Sequence, residues 1–206
     1  MNVSTTKGKC MKYTLAALAV ASLMSTAANA GTLTGEVRLG DLRSGKAGST
    51  EYRAEAWETV NGANLGAELQ VRQANGQGAV KSLISGKAGL NGPEVAGIKT
   101  AAYVELGESL SQKVSTTVAG RTTVTGGNNT FWGAAVKAER NLYGPVNVVV
   151  GYRHREGFNA AKINEERLSG GVNVAVNDAM TLGATYYRTR GTTNSDVVGL
   201  GLTRKF

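Results

Sequence analysis

The chain has one cysteine, Cys10, one histidine, His154, two prolines, and no run of eighteen apolar residues. Because the cysteine falls within the first thirty residues, the chain after it can form neither a disulfide nor a thiolate metal site. The missing apolar run excludes a helical membrane span, which needs about 20 such residues. No cluster has metal-ligand spacing, so neither a metal nor a cofactor is expected. Charge is not gathered into a patch: bases and acids alternate along the chain, which argues against a nucleic-acid partner. Glycine, by contrast, is abundant, at 28 residues.

Residues 1–30 read as a secretory leader. Lys7, Lys9 and Lys12 precede a largely apolar run from Leu15 to Met24, and Ala28-Asn29-Ala30 makes a small-residue exit with cleavage expected before Gly31. Met11 is a second plausible initiator, since a complete leader begins there. Losing three lysines leaves twenty bases against fifteen acids in 176 residues, a net charge of +5. That length fits one domain, residues 31–206.

Period-2 alternation with turn chemistry between marks ten segments: 32–42, 50–60, 64–73, 96–107, 112–124, 131–140, 146–155, 167–176, 180–190 and 196–206. Each is about the 9–11 residues that a tilted strand needs to cross a hydrocarbon layer. The pattern predicts an all-β, transmembrane antiparallel barrel, an up-and-down meander of ten strands, with eight and twelve as the neighbouring even counts. Segments 61–63, 108–111, 141–145 and 177–179 are short, as periplasmic turns are, and the remaining connections are longer on average. Residues 74–95 are read as a long external loop, although 79–90 alternate weakly.

One parity carries the apolar residues, among them Leu33, Val37, Leu69, Val104, Val114, Val118, Val124, Val150 and Leu182. Tyr52, Trp132, Tyr152 and Tyr186 fall on that same parity near the external strand ends, where barrels carry an aromatic girdle. The other parity holds Glu36, Arg38, Arg53, Glu55, Glu68, Arg72, Lys99, Glu105, Arg121, Lys137, Glu139, Arg153 and Arg167. Charge at the bilayer midplane costs about 2–4 kcal/mol per residue, so these are expected to line the lumen. Eight bases against five acids would favour anions weakly. The later strands add Gly151, Gly171, Ala175, Gly183, Gly199 and Gly201 on the lumen parity, room either for an off-centre path or for arginines reaching across.

The final segment, NSDVVGLGLTRKF, places Val198, Leu200, Leu202 and Phe206 on one face and ends on the aromatic. It resembles the C-terminal signal of Gram-negative outer-membrane β-barrels, departing from it at Arg204. The resemblance implies that Leu200, Leu202 and Phe206 are read by the barrel-assembly machinery, and that the protein lies in the outer membrane among its lipids and lipopolysaccharide. It implies a porin-like channel for passive passage of ions or small polar solutes. A closed structural barrel that binds a partner through its external loops is the alternative.

Catalysis is not expected. Outer-membrane proteases of the omptin type also have ten strands, but they place acidic residues and a histidine at the rim. Here His154 stands between Arg153 and Arg155, without an Asp-x-His neighbour, and only Asp41 and Asp196 lie near external strand ends. Lipid A-modifying barrels pair a histidine with a serine, and Ser169 lies on a different strand. Gly40 to Lys46 spells the start of a phosphate-binding loop but continues with Ala47 and no helix, so the match is chance.

Overall fold

A computed structural model describes residues 31–40, 48–74, 80–118, 121–158, 163–192 and 194–206, with side chains described except at 74, 80, 112–118 and 121–126. The leader segment and Asp41 lie outside the described residues. The chain forms ten strands: β1 (Gly31–Gly40), β2 (Ser49–Val60), β3 (Ala63–Ala74), β4 (Val80–Asn91), β5 (Ile98–Val118), β6 (Arg121–Tyr143), β7 (Val146–Gly157), β8 (Asn164–Ala175), β9 (Met180–Gly191) and β10 (Ser195–Lys205). Each pairs antiparallel with its neighbours in the chain. β1 closes on β10, from Thr32 opposite Lys205 to Gly40 opposite Val197. Closure leaves the barrel wall without a free sheet edge, the condition for strands to sit in lipid.

Two-residue turns set the register at one end. Asn61 and Gly62 have φ of 51° and 83°, and Ala96 and Gly97 have 52° and 75°. Two successive positive φ values are the type I′ geometry that matches strand twist. Val95 and Ile98 exchange both backbone hydrogen bonds across the second turn, at 3.1 and 2.9 Å. These turns share an end of the barrel with Gly31 and Lys205, here called the terminal end. The opposite end is the loop end.

The strand count of ten matches expectation, but two of its members do not. Residues 80–91 are β4, a wall strand paired with β3 from Ala63–Leu90 to Gln73–Val80 and with β5 from Lys81 to Asn91. They are not an external loop. Residues 108–111 are not a turn, because β5 runs through them. Residues 112–124 are not a spanning strand: 112–118 and 121–124 belong to the far parts of β5 and β6, where the two strands pair only with each other up to Val118 opposite Arg121. The cause is amplitude. β4 alternates through Ser82, Gly86 and Ala88, small residues that scarcely mark a face, while the extension alternates as well as any wall strand because it is itself a two-stranded ribbon.

The outer surface is apolar. Leu106, Val104, Leu168 and Leu200 are each more than half exposed (58, 61, 58 and 61%), a surface that needs a non-aqueous partner. Outward-facing Glu58, Arg140 and Arg204 stand near the terminal end, and Glu108, Glu156, Glu166 and Arg188 near the loop end. Among the described residues no lysine, arginine, aspartate or glutamate faces outward between those two rings. This is the belt of a transmembrane barrel. The interior inverts the soluble rule, for its buried residues are mostly polar or charged and, among the described residues, the apolar cluster is Leu83, Phe131 and Ile163.

Candidate functional site in the lumen

Strands β1 to β5, with β7, push a cluster of charge into the middle of the lumen. Glu68, fully buried, accepts hydrogen bonds from Arg53 Nε and Nη2 at 3.0 and 2.8 Å, from Arg155 Nη2 at 3.0 Å, and from Gln70 and Lys87. Glu105 takes a two-pronged contact from Arg155, at 2.6 and 2.7 Å. Glu55 pairs with Lys87 and with Arg53, the latter at 2.7 Å. Glu36 accepts from Arg38 Nε at 2.9 Å and from the Tyr187 hydroxyl at 2.6 Å, while Arg38 also reaches Glu51 at 2.5 Å. Removing such charges from water costs several kcal/mol per ion, and only this density of charge-assisted hydrogen bonds offsets it.

Gly199 shows how closely the parts fit. A Cβ there would lie 2.1 Å from Glu36 Oε1, so the absent side chain is what lets β1 lay its carboxylate against β10. At the loop end Phe131 closes the cluster, with the Arg155 guanidinium 4.9 Å from its ring centre.

The opposite wall, β7 to β10, is built of small residues, and space remains beside it. A cavity of about 440 Å³ runs from Thr32, Thr59, Asn64 and Thr203 at the terminal end, along Gly151, Ser169, Gly183 and Gly201, to Arg38, Arg53, Arg153 and Arg167. Beyond those arginines lie two small spaces of about 10 and 40 Å³. The smaller is near the least volume that holds a water molecule. Arg167 lines all three. The lumen is therefore a vestibule narrowed by an arginine layer and flanked by an ion-paired wall.

Of the residues expected in the lumen, the strand pairing puts Glu36, Arg38, Arg53, Glu55, Glu68, Arg72, Lys99, Glu105, Lys137, Glu139, Arg153 and Arg167 on inward positions. They do not form one group. Arg72 donates to Ser49 Oγ at 3.1 Å near the loop end. Lys137 and Glu139 form a partly exposed pair at 3.2 Å, and Lys99 lies opposite Glu139 toward the terminal mouth. Arg121 is a correction: it pairs with Val118 beside the hairpin tip, beyond the barrel wall, and its side chain lies outside the described residues. Val114, Val118 and Val124, expected against lipid, belong to the same extension.

Tyr52, Trp132, Tyr152 and Tyr186 all face outward and are well exposed. Tyr186 donates its hydroxyl to Asp196 at 2.7 Å. Leu200, Leu202 and Phe206 also face outward, and the Arg204 guanidinium sits 4.9 Å from the Phe206 ring centre. His154 packs edge-on against Trp132 on the outer face, whereas Ser169 points inward and donates to the Gly151 carbonyl at 3.3 Å. The two are on opposite sides of the wall.

Reading the sequence missed Lys87, Glu51, Gln70, Arg155 and Tyr187. Lys87 went with the unrecognised β4. Arg155 and Glu51 each lie two residues from a named lumen residue, Arg153 and Arg53, so the period-2 rule alone would have found both.

No family model and no curated protein sequence matches the chain. Solved structures do resemble it. The beta domain of the Bordetella autotransporter BrkA superposes with a TM-score of 0.50 at 10% identity, covering 86% of this chain and 99% of that one. The KdgM porin gives 0.45 at 12% identity over 85% and 99%. Neisserial surface protein A gives 0.41 at 14% identity over 86% and 96%. The first of these similarities is one of fold: a closed, up-and-down barrel.

Proposed function

We propose that the protein is an outer-membrane barrel of the porin-like kind, giving narrow passive passage to ions or small polar solutes along its glycine-rich wall. The observation that carries this reading is the vestibule of about 440 Å³, which runs from Thr32 and Thr203 past Ser169 to the arginine layer. Ten strands lie nearer the filled eight-stranded barrels than the open channels of 16–18, so a narrow, off-centre route is the kind that such a wall can offer. The N-terminal leader delivers the chain across the inner membrane. Leu200, Leu202 and Phe206 serve as its signal to the assembly machinery, and the apolar belt meets outer-membrane lipid and lipopolysaccharide, with the terminal end toward the periplasm.

Refolded protein in a planar bilayer tests the function. Discrete conductance steps are the expected result. A second reading, a non-conducting barrel that binds a partner outside the cell, draws on the β5–β6 hairpin, which continues past its wall neighbours. Silence in the bilayer would favour that reading.

A further inference from the structure

The arginine layer holds one cation more than its carboxylates answer. Around the central cluster stand Arg38, Arg53, Lys87, Arg153, Arg155 and Arg167, six bases, against Glu36, Glu51, Glu55, Glu68 and Glu105, five acids, with Arg72, Lys81 and Glu165 further toward the loop end. Five of the six bases have a carboxylate within 4 Å. Among the described residues, Arg167 has none. Its Nε donates to Thr189 Oγ1 at 3.0 Å, and its Nη1 is shielded from solvent with no hydrogen-bond partner.

The surroundings increase the excess. Arg153 is the direct cross-strand partner of Arg167, so two like charges face each other on the inward side of β7 and β8, an arrangement that is destabilising by itself. Arg153 finds only loose contacts, 3.6 Å to Glu68 and 3.9 Å to Glu105, both already engaged by Arg155. Arg38 and Arg167 both stand over the Tyr187 ring, at 4.1 and 5.6 Å. A buried donor left unpaired carries a penalty that a native lumen relieves only with a partner. The small residues beside it, Gly151 and Ser169, leave that partner room in the vestibule.

We infer that the head of the vestibule is a binding site for a small oxyanion, a carboxylate or phosphate group, held by the Arg167 guanidinium and neutralising the Arg153–Arg167 pair. The guanidinium supplies in-plane donors suited to such oxygens. Binding at this site does not depend on conduction, since a vestibule can hold a ligand that it never passes.

The test is isothermal titration of the full protein, purified in nonionic detergent, with inorganic phosphate and in parallel with acetate, against chloride at matched ionic strength. Saturable binding of at least one oxyanion is expected, weakened roughly tenfold or more in Arg167→Gln, as loss of a hydrogen bond to a charged group implies. Arg167→Lys keeps the charge but not the donor geometry, so it should bind more weakly than wild type and serves if the glutamine variant does not fold. Neither oxyanion binding better than chloride would overturn the site. So would undiminished binding in whichever variant folds. Bilayer conductance, measured separately, leaves this outcome untouched.

Discussion

The two sides of the lumen differ in how they fill space. On β1 to β5 long charged side chains, joined by Arg155 of β7, meet in an ion-paired block centred on Glu68, and on β7 to β10 glycine, serine and threonine leave a vestibule. Eight-stranded barrels are filled by their side chains and barrels of 16–18 strands hold an aqueous channel, so ten strands leave an interior between the two. This chain divides the problem. One side closes the lumen with groups that hold each other through several hydrogen bonds, and the other keeps a solvated strip. Loss of a partner is expected to cost most stability in the first, and permeability belongs, on the proposed function, to the second.

The comparison breaks most readily at Glu68. Glu68→Gln leaves Arg53, Lys87 and Arg155 sharing a neutral amide, and the barrel should lose about 3–5 kcal/mol, the cost of breaking a buried charge cluster from one side. Urea unfolding in detergent, followed by tryptophan fluorescence, measures it, and a loss below about 1 kcal/mol would mean that the block does not carry the stability. Gly199→Ala comes next. The added methyl must displace the Glu36 carboxylate and its contact with Tyr187, with an expected loss of about 1–3 kcal/mol in the same assay.

Gly201 sharpens the contrast from the other wall. A Cβ there meets nothing nearer than 3.4 Å, so Gly201→Leu should destabilise the barrel less than Gly199→Ala while it projects into the vestibule. Single-channel conductance should fall several-fold, because pore-lining volume sets passage in a narrow route. Equal conductance would place the route elsewhere. The smallest effect is expected at Lys137→Ala. Its pair with Glu139, at 3.2 Å, is partly exposed, and its loss should change stability by about 0–1 kcal/mol.

Much of this division was legible before any coordinates. The inward parity of Glu36, Arg53, Glu68 and Arg153 follows from period 2, as does the small-residue character of the wall carrying Gly151, Gly183 and Gly201. What misled was the assumption that every well-alternating stretch crosses the membrane once. The β5–β6 extension alternates without crossing, and β4 crosses with almost no contrast between its faces. The two errors cancelled in the count, which is why ten strands emerged from a wrong partition.

Alternation of residue character determined the barrel class, the face of each recognised wall strand and the outward placement of Tyr52, Trp132, Tyr152 and Tyr186, because a strand's side-chain period is a local property of its backbone. Which charges meet is not local. Glu68 joins Arg155, 87 positions away, and the register of β8 against its two neighbours sets Arg153 opposite Arg167 on β7 and Thr189 opposite it on β9. Register, shear and closure decide those neighbours, and they are set by the whole ring of hydrogen bonds at once. The tertiary structure alone therefore decided where the lumen is packed, where it is hollow, and which guanidinium is left with a donor to spare.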